Sequence, residues 1–154
     1  MSAPRVWLAG PHEAEAVAGL LVEFRDWYGR EWPSANAFLA GVERLIEQPD
    51  TEYLLGGEPP AGVVQLRYRW GLWYAAEDCW LEDLFVSERA RGAGLGSALV
   101  AAAIDRARTR GCRRIELDVS QENRAAWALY ERHGFSAEFK RPAPNVLMGR
   151  RVDE

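Results

Sequence analysis

Val17, Leu20, Leu21 and Phe24 fall three and four positions apart, the spacing of an apolar stripe on a helix, and predict an amphipathic helix over 11–28. A short apolar run over 5–9 precedes it and reads as a strand. Ser34 is a good N-cap, and Phe38, Val42, Leu45 and Ile46 carry a second helix until Pro49 stops it. Beyond this point the period changes. The runs TEYLL and VVQLRYRW read as two strands, and GGEPPAG between them turns the chain into a hairpin. CWLEDLFV is a further strand. A helix follows over 94–110, then a strand over 115–119, a helix over 123–133, and two strands over 137–140 and 145–150. Helices interleaved with strands imply an α/β layer with a mixed sheet.

The 154 residues suit one domain, here taken as 1–154, with no repeat and no low-complexity linker. A content of 48% hydrophobic and 27% charged residues is that of a soluble globular chain. The net charge of −4 argues against a nucleic-acid partner. No run approaches the roughly 18 apolar residues of a membrane span, and the first ten residues hold no apolar leader. Cys79 and Cys112 offer neither a metal cluster nor a disulfide framework, so the expected setting is a reducing cytoplasm, without a metal.

RARGAGLGSALV is the stretch that demands a chemical reason. Each glycine costs conformational entropy on folding, and three stand at the mouth of a helix. A dinucleotide fingerprint needs G-x-G-x-x-G, but Ser97 stands where the third glycine belongs, although Asp118 ends the next strand where a ribose-binding acid would be. A Walker loop needs a lysine that is absent. A purely structural role in turning and close packing is the plain alternative. The arrangement also leaves bare backbone N–H groups at a helix N-terminus, where phosphate binds.

Strand, Arg91-x-x-Gly94-x-Gly96, then helix resembles the pyrophosphate loop of the GNAT superfamily of acetyl-CoA-dependent N-acetyltransferases. The resemblance continues through NRAAWALYERHGF, where Asn123, Ala126, Leu129, Tyr130, Gly134 and Phe135 fit the family pattern, and it covers about residues 80–135. It implies a mixed, mostly antiparallel central sheet flanked by helices, acetyl-CoA as cosubstrate, and a homodimer. It also implies that Arg91, Gly92, Ala93, Gly94, Leu95, Gly96 and Ser97 hold the pyrophosphate. Leu84, Phe85 and Val86 would pair with the pantetheine arm as though it were a strand. Asn123 reads both as an N-cap and as a cofactor contact. Tyr130 shares a helix face with Ala126, and the family register makes it the general acid, where a core tyrosine is the alternative.

WLEDLFV places two acids inside an apolar strand, which is costly unless each has work or a partner. Alternation expects Trp80, Glu82 and Leu84 on one face and Leu81, Asp83 and Phe85 on the other. The tag is similar to the same strand of diamine (spermidine/spermine) N-acetyltransferases. That likeness implies Glu82 as base and Asp83 as a cation site; a structural pair bonded to arginines is the alternative. Asp26 and Glu31 at the end of the first helix, with Glu77 and Asp78, extend an acidic acceptor side for a small amine, a di- or polyamine or a lysine-like one. Other acceptors are an antibiotic or a protein amine, and a non-catalytic acyl-CoA sensor is the reading from outside the enzymes. Cys79 is a conceivable nucleophile without an activating partner. His133 suits a helix cap, and the tryptophans suit core, dimer surface or cation pocket.

Overall fold

A computed structural model describes residues 3–138 and 146–153. Five strands form one sheet in the order β1 (Val6–Leu8), β2 (Thr51–Gly56), β3 (Gly62–Gly71), β4 (Ala76–Val86) and β5 (Ile115–Glu116). The first four are antiparallel neighbours, and β5 runs parallel to β4. Helices α1 (Ala14–Trp27) and α2 (Ala35–Leu45) cover one face; α3 (Leu95–Thr109) covers the other, with α4 (Arg124–Arg132) beside it. This is the mixed, mostly antiparallel sheet flanked by helices that the sequence implies.

Covering both faces explains why Tyr53–Leu55 of β2 and Val63–Val64 of β3 are apolar without alternation. Tyr53, Leu55 and Val63 enter the core under α1 and α2, with Val17, Leu20, Leu21 and Val42. Leu54, Val64, Leu66 and Tyr68 enter the core under α3, with Leu95, Leu99 and Ala103. Leu95 fits this face closely: a Cβ built on Gly56 would stand 2.6 Å from its side chain. Bare glycine on the strand lets the start of α3 lie down on the sheet.

The expected elements form with altered ends. Pro11–Glu13 is a 3-10 turn rather than the first turn of α1, with Glu13 accepting from Trp7 Nε1 at 2.9 Å and from the Gly10 N–H at 3.1 Å. Ser34 caps α2, its hydroxyl oxygen accepting the Ala37 N–H at 3.1 Å. The expected strand over 115–119 is only two residues long, because the chain leaves β4 after Glu116. Of the two C-terminal strands, Ala137 and Glu138 form a turn, and 146–150 is not in a strand; 139, 140 and 145 lie outside the described residues. No helix among the described residues is long and apolar enough to cross a membrane.

One irregularity positions everything that follows. Gln65 pairs with Asp83, but Leu66 pairs with Leu81, so Glu82 is an extra residue without a partner on β3. A bulge of this kind bends its strand and inverts the side-chain phase beyond it. Leu81 and Leu84 therefore face α3, while Phe85 faces α1. The simple alternation that put Leu81 and Phe85 on one face is corrected here.

Candidate active site

The bulge coincides with a split in the sheet. Strand β5 pairs with β4 only at Cys79–Ile115 and Trp80–Glu116, so from Leu81 to Val86 the β5-side edge of β4 has no strand partner. A cleft of about 370 Å³ opens there. Leu84, Phe85 and Val86 form one wall, Asp118, Asn123 and Tyr130 the other, and Phe24, Trp27 and Tyr28 of the α1 end complete it. An unpaired strand edge in a cleft can receive an extended chain carrying amides.

At its C-terminal end this edge runs into the glycine loop. Gly92 (φ +82°) and Gly94 (φ +84°) hold left-handed conformations that side chains rarely adopt, and a Cβ on either would meet nothing within 4 Å. The surface above both is therefore open. The first N–H of the helical ladder is that of Ala98, bonded to the Gly94 carbonyl at 3.0 Å. Among the described residues the N–H groups of Gly92, Ala93, Gly94, Leu95, Gly96 and Ser97 have no backbone acceptor. Unpaired donors and the positive end of the α3 dipole thus point at one open surface, which suits a phosphate. Gly96 has the structural reason instead: its Cβ would stand 3.3 Å from Leu129 Cδ2, so it lets α4 pack against α3.

Side chains frame the loop. Ser97 Oγ lies 2.7 Å from His133 Nε2, and His133 is the C-cap of α4, as expected. Arg91 Nε donates to the Val86 carbonyl at 3.0 Å, and its guanidinium lies over the rings of Trp27 (5.5 Å) and Phe85 (5.7 Å). Asn123 caps α4 through the Ala126 N–H at 3.2 Å and also lines the cleft, so its two readings are compatible.

Asp83, just past the bulge, is recessed in the cleft wall. Burial, then the nearby charges of Glu82 and Asp118, push its carboxyl up to about 6. Glu82 also lines the cleft but is exposed. Tyr130 is nearly buried and packs edge-on against Phe135 at 5.7 Å between ring centres. Burial, with Tyr28, Asp83 and Asp118 nearby, pushes its hydroxyl up to about 12, so it keeps its proton at neutral pH.

Several expected acids do not converge here. Asp26 is exposed and bound to Arg25 at 2.8 Å, and Glu31 is exposed; neither lines the cleft. Glu77 pairs with Arg110 and Asp78 with Arg114, at 2.8 and 3.0 Å, which neutralises them outside the cleft. The Cys79 thiol is pushed up to about 12 by burial, then by Cys112 and Glu52, which excludes a ready thiolate nucleophile.

The model of the acetyltransferase (GNAT) family matches residues 19–135, a span that holds the split, the loop and Tyr130. The chain belongs to this family. It is 31% identical over 134 residues to the uncharacterized N-acetyltransferase YhfO of Bacillus subtilis, covering 82% of this chain and 85% of that one. A crystal structure from Arthrobacter sp. FB24, assigned as an acetyltransferase, superposes with a TM-score of 0.83 at 33% identity, over 99% of this chain and 97% of that one. A stretch of 68 residues is 41% identical to mycothiol acetyltransferase of Beutenbergia cavernae, spanning 42% of this chain and 23% of that protein.

The chain is thus a GNAT acetyltransferase, and acetyl-CoA is the family's acyl donor. The loop and the free strand edge fit such a donor, with donors for phosphate at one end and an unpaired backbone along the other. The sequence pattern marks Asp118 only beside a failed dinucleotide motif, whereas the structure places it in the lining of this cleft. Its position, the first acid past β5, was the available signal.

Proposed function

We propose that this acetyltransferase moves acetyl from acetyl-CoA to the primary amine of a small cationic acceptor by direct attack. The observation that carries the reading is the recessed Asp83 facing the same cleft as Tyr130, beside the free edge of β4. An alkylammonium cannot attack until it loses a proton. In this reading the donor's pantetheine arm lies along Leu84, Phe85 and Val86, and Gly92 through Ser97 receive the pyrophosphate, with Arg91 beside it.

Glu82 and Asp83 divide the remaining work. The sequence expectation makes Glu82 the base and Asp83 the cation site. Burial supports the exchange of roles: Asp83 accepts the ammonium proton, and exposed Glu82 meets a second cationic group at the cleft edge. The freed amine forms a C–N bond with the thioester carbon, and a backbone N–H of β4 steadies the oxyanion. As the C–S bond breaks, Tyr130 gives its proton to the departing thiolate. The nitrogen then loses its second proton. Of that proton and the one on Asp83, one restores Tyr130 and the other leaves to solvent.

Phe24, Trp27, Tyr28 and Phe85 add an aromatic flank that suits alkylammonium groups. The test compares kcat/KM for a diamine and a monoamine of equal length, in wild type and in Glu82→Gln. The reading expects the diamine to be favoured, and the substitution to erode that preference more than it harms the monoamine. Equal efficiencies, or efficient turnover of an antibiotic or peptide amine alone, would replace the acceptor class.

A further inference from the structure

Among the described residues, recessed acids have side-chain partners, with one exception. Glu52 accepts from Tyr68 at 2.6 Å and from Arg106 at 3.1 Å; Glu77 and Asp78 pair with Arg110 and Arg114. Glu13 accepts from Trp7 and Gly10. The Asp83 carboxylate alone among these has neither hydrogen bond nor ion pair among the described residues, although it is buried enough to feel desolvation as its largest influence. A carboxylate left so is costly, and a cationic ligand is what relieves the cost.

The groups around Asp83 narrow what that ligand touches. On β2 stands Tyr53, and on β3 Arg67; Tyr53 feels both Arg67 and Asp83. Glu82 is its neighbour on β4. Tyr28 and Arg91 line the same cleft from α1 and the glycine loop, and Tyr130 lines it from α4. The remaining charge comes from across the split. Asp118 follows the end of β5, lines the cleft on the wall opposite β4, and is felt by both Asp83 and Tyr130.

We infer that Asp118 is an acceptor-binding residue: with Asp83 it forms a two-carboxylate seat for the reacting ammonium, one acid from each side of the sheet's split. The inference rests on the acyl-transfer reading above and adds to it a residue on the second wall. The geometry gives the seat its logic. Asp83 is on β4 and Asp118 just past the end of β5, beyond the last β4–β5 pair, so no strand ladder joins the walls there. The positive charge of the acceptor closes the gap, and the proton to be removed lies between the base and Tyr130. Glu82, on the outer side of the bulge, is left for a second cationic group.

The two acids therefore have separable signatures. Asp118→Asn changes an exposed side chain and keeps its shape, so the fold and the affinity for acetyl-CoA should persist; both are checked by melting and calorimetry. KM for a plain monoamine should rise about fivefold, the size of losing one partly solvated charge contact. Loss of the Asp118 charge also makes Asp83 easier to ionise, so the acidic limb of the kcat/KM profile should move to lower pH. A structural role would not move that limb. If wild type releases thiol with amines but Asp118→Asn keeps both its monoamine KM and its acidic limb, Asp118 is no part of the seat, and the acyl-transfer reading stands without it. If wild type acetylates no amine, the parent reading fails.

Discussion

Ser97 Oγ and His133 Nε2 stand 2.7 Å apart and join the first turn of α3 to the last turn of α4. One contact thus couples the loop that suits phosphate to the helix that carries Tyr130. A side-chain hydrogen bond of this kind contributes about 1 kcal/mol. Ser97→Ala should lower the melting temperature by a few degrees. Calorimetric unfolding that matches wild type would show that packing through Gly96 and Leu129 alone holds the two helices.

Gly94 carries the loop. At φ +84° a β-branched residue is strained, by about 1–3 kcal/mol, while its Cβ meets no neighbour. Gly94→Val should therefore fold, with reduced stability, and lose at least tenfold in acetyl-CoA affinity. Titration calorimetry on the folded variant is the check, and unchanged affinity would detach the loop from the donor.

Tyr130→Phe removes a hydroxyl and leaves the ring against Phe135. Turnover should fall by about 10²–10⁴ with little change in donor affinity, as expected when general-acid help is lost. Near-normal kcat, with the chemical step shown to limit turnover, would return Tyr130 to a packing role.

Asp83 links activity to stability. Its folded value of about 6 lies above that of an ordinary aspartate, so the folded state binds the proton more tightly than the unfolded state. Its burden is therefore absent below about pH 4, grows as pH rises toward 6, and is complete above that. Asp83→Asn should stabilise the protein at pH 7.5, by an amount of the order of 1–3 kcal/mol, and not at pH 4. The same variant should lose acetyl transfer. Melting curves at the two pH values decide the first part, and equal effects at both would mean that charge is not the cause.

The order of elements through α4 was legible because their patterns are local, whereas the two strands expected after it do not form in the described residues. The α1 stripe and the Ser34 cap are set by neighbouring residues, and the glycine loop by closely spaced glycines at the start of α3. The bulge was not legible. WLEDLFV alternates as cleanly as any strand, and only its pairing with Gln65 and Leu66 shows that Glu82 is the extra residue. The short β5 follows from the same long-range event, since the sheet splits beside the bulge. Acids could be counted along the chain but not sorted: Glu77 and Asp78 meet arginines from the α3 end and the loop beyond it, whereas Asp83 meets none. Asp118 reaches the cleft through tertiary approach, which local sequence does not encode.

The measurement that bears most directly on the central claim is release of the coenzyme thiol from acetyl-CoA by the purified protein across a panel of amines. Saturable release that requires a primary amine, with the acetylated amine recovered in equal amount and with cationic acceptors favoured, is the predicted result. Tight binding of acetyl-CoA with no amine-dependent release from any acceptor would contradict it, and would leave the cleft as a place where acyl-CoA is sensed.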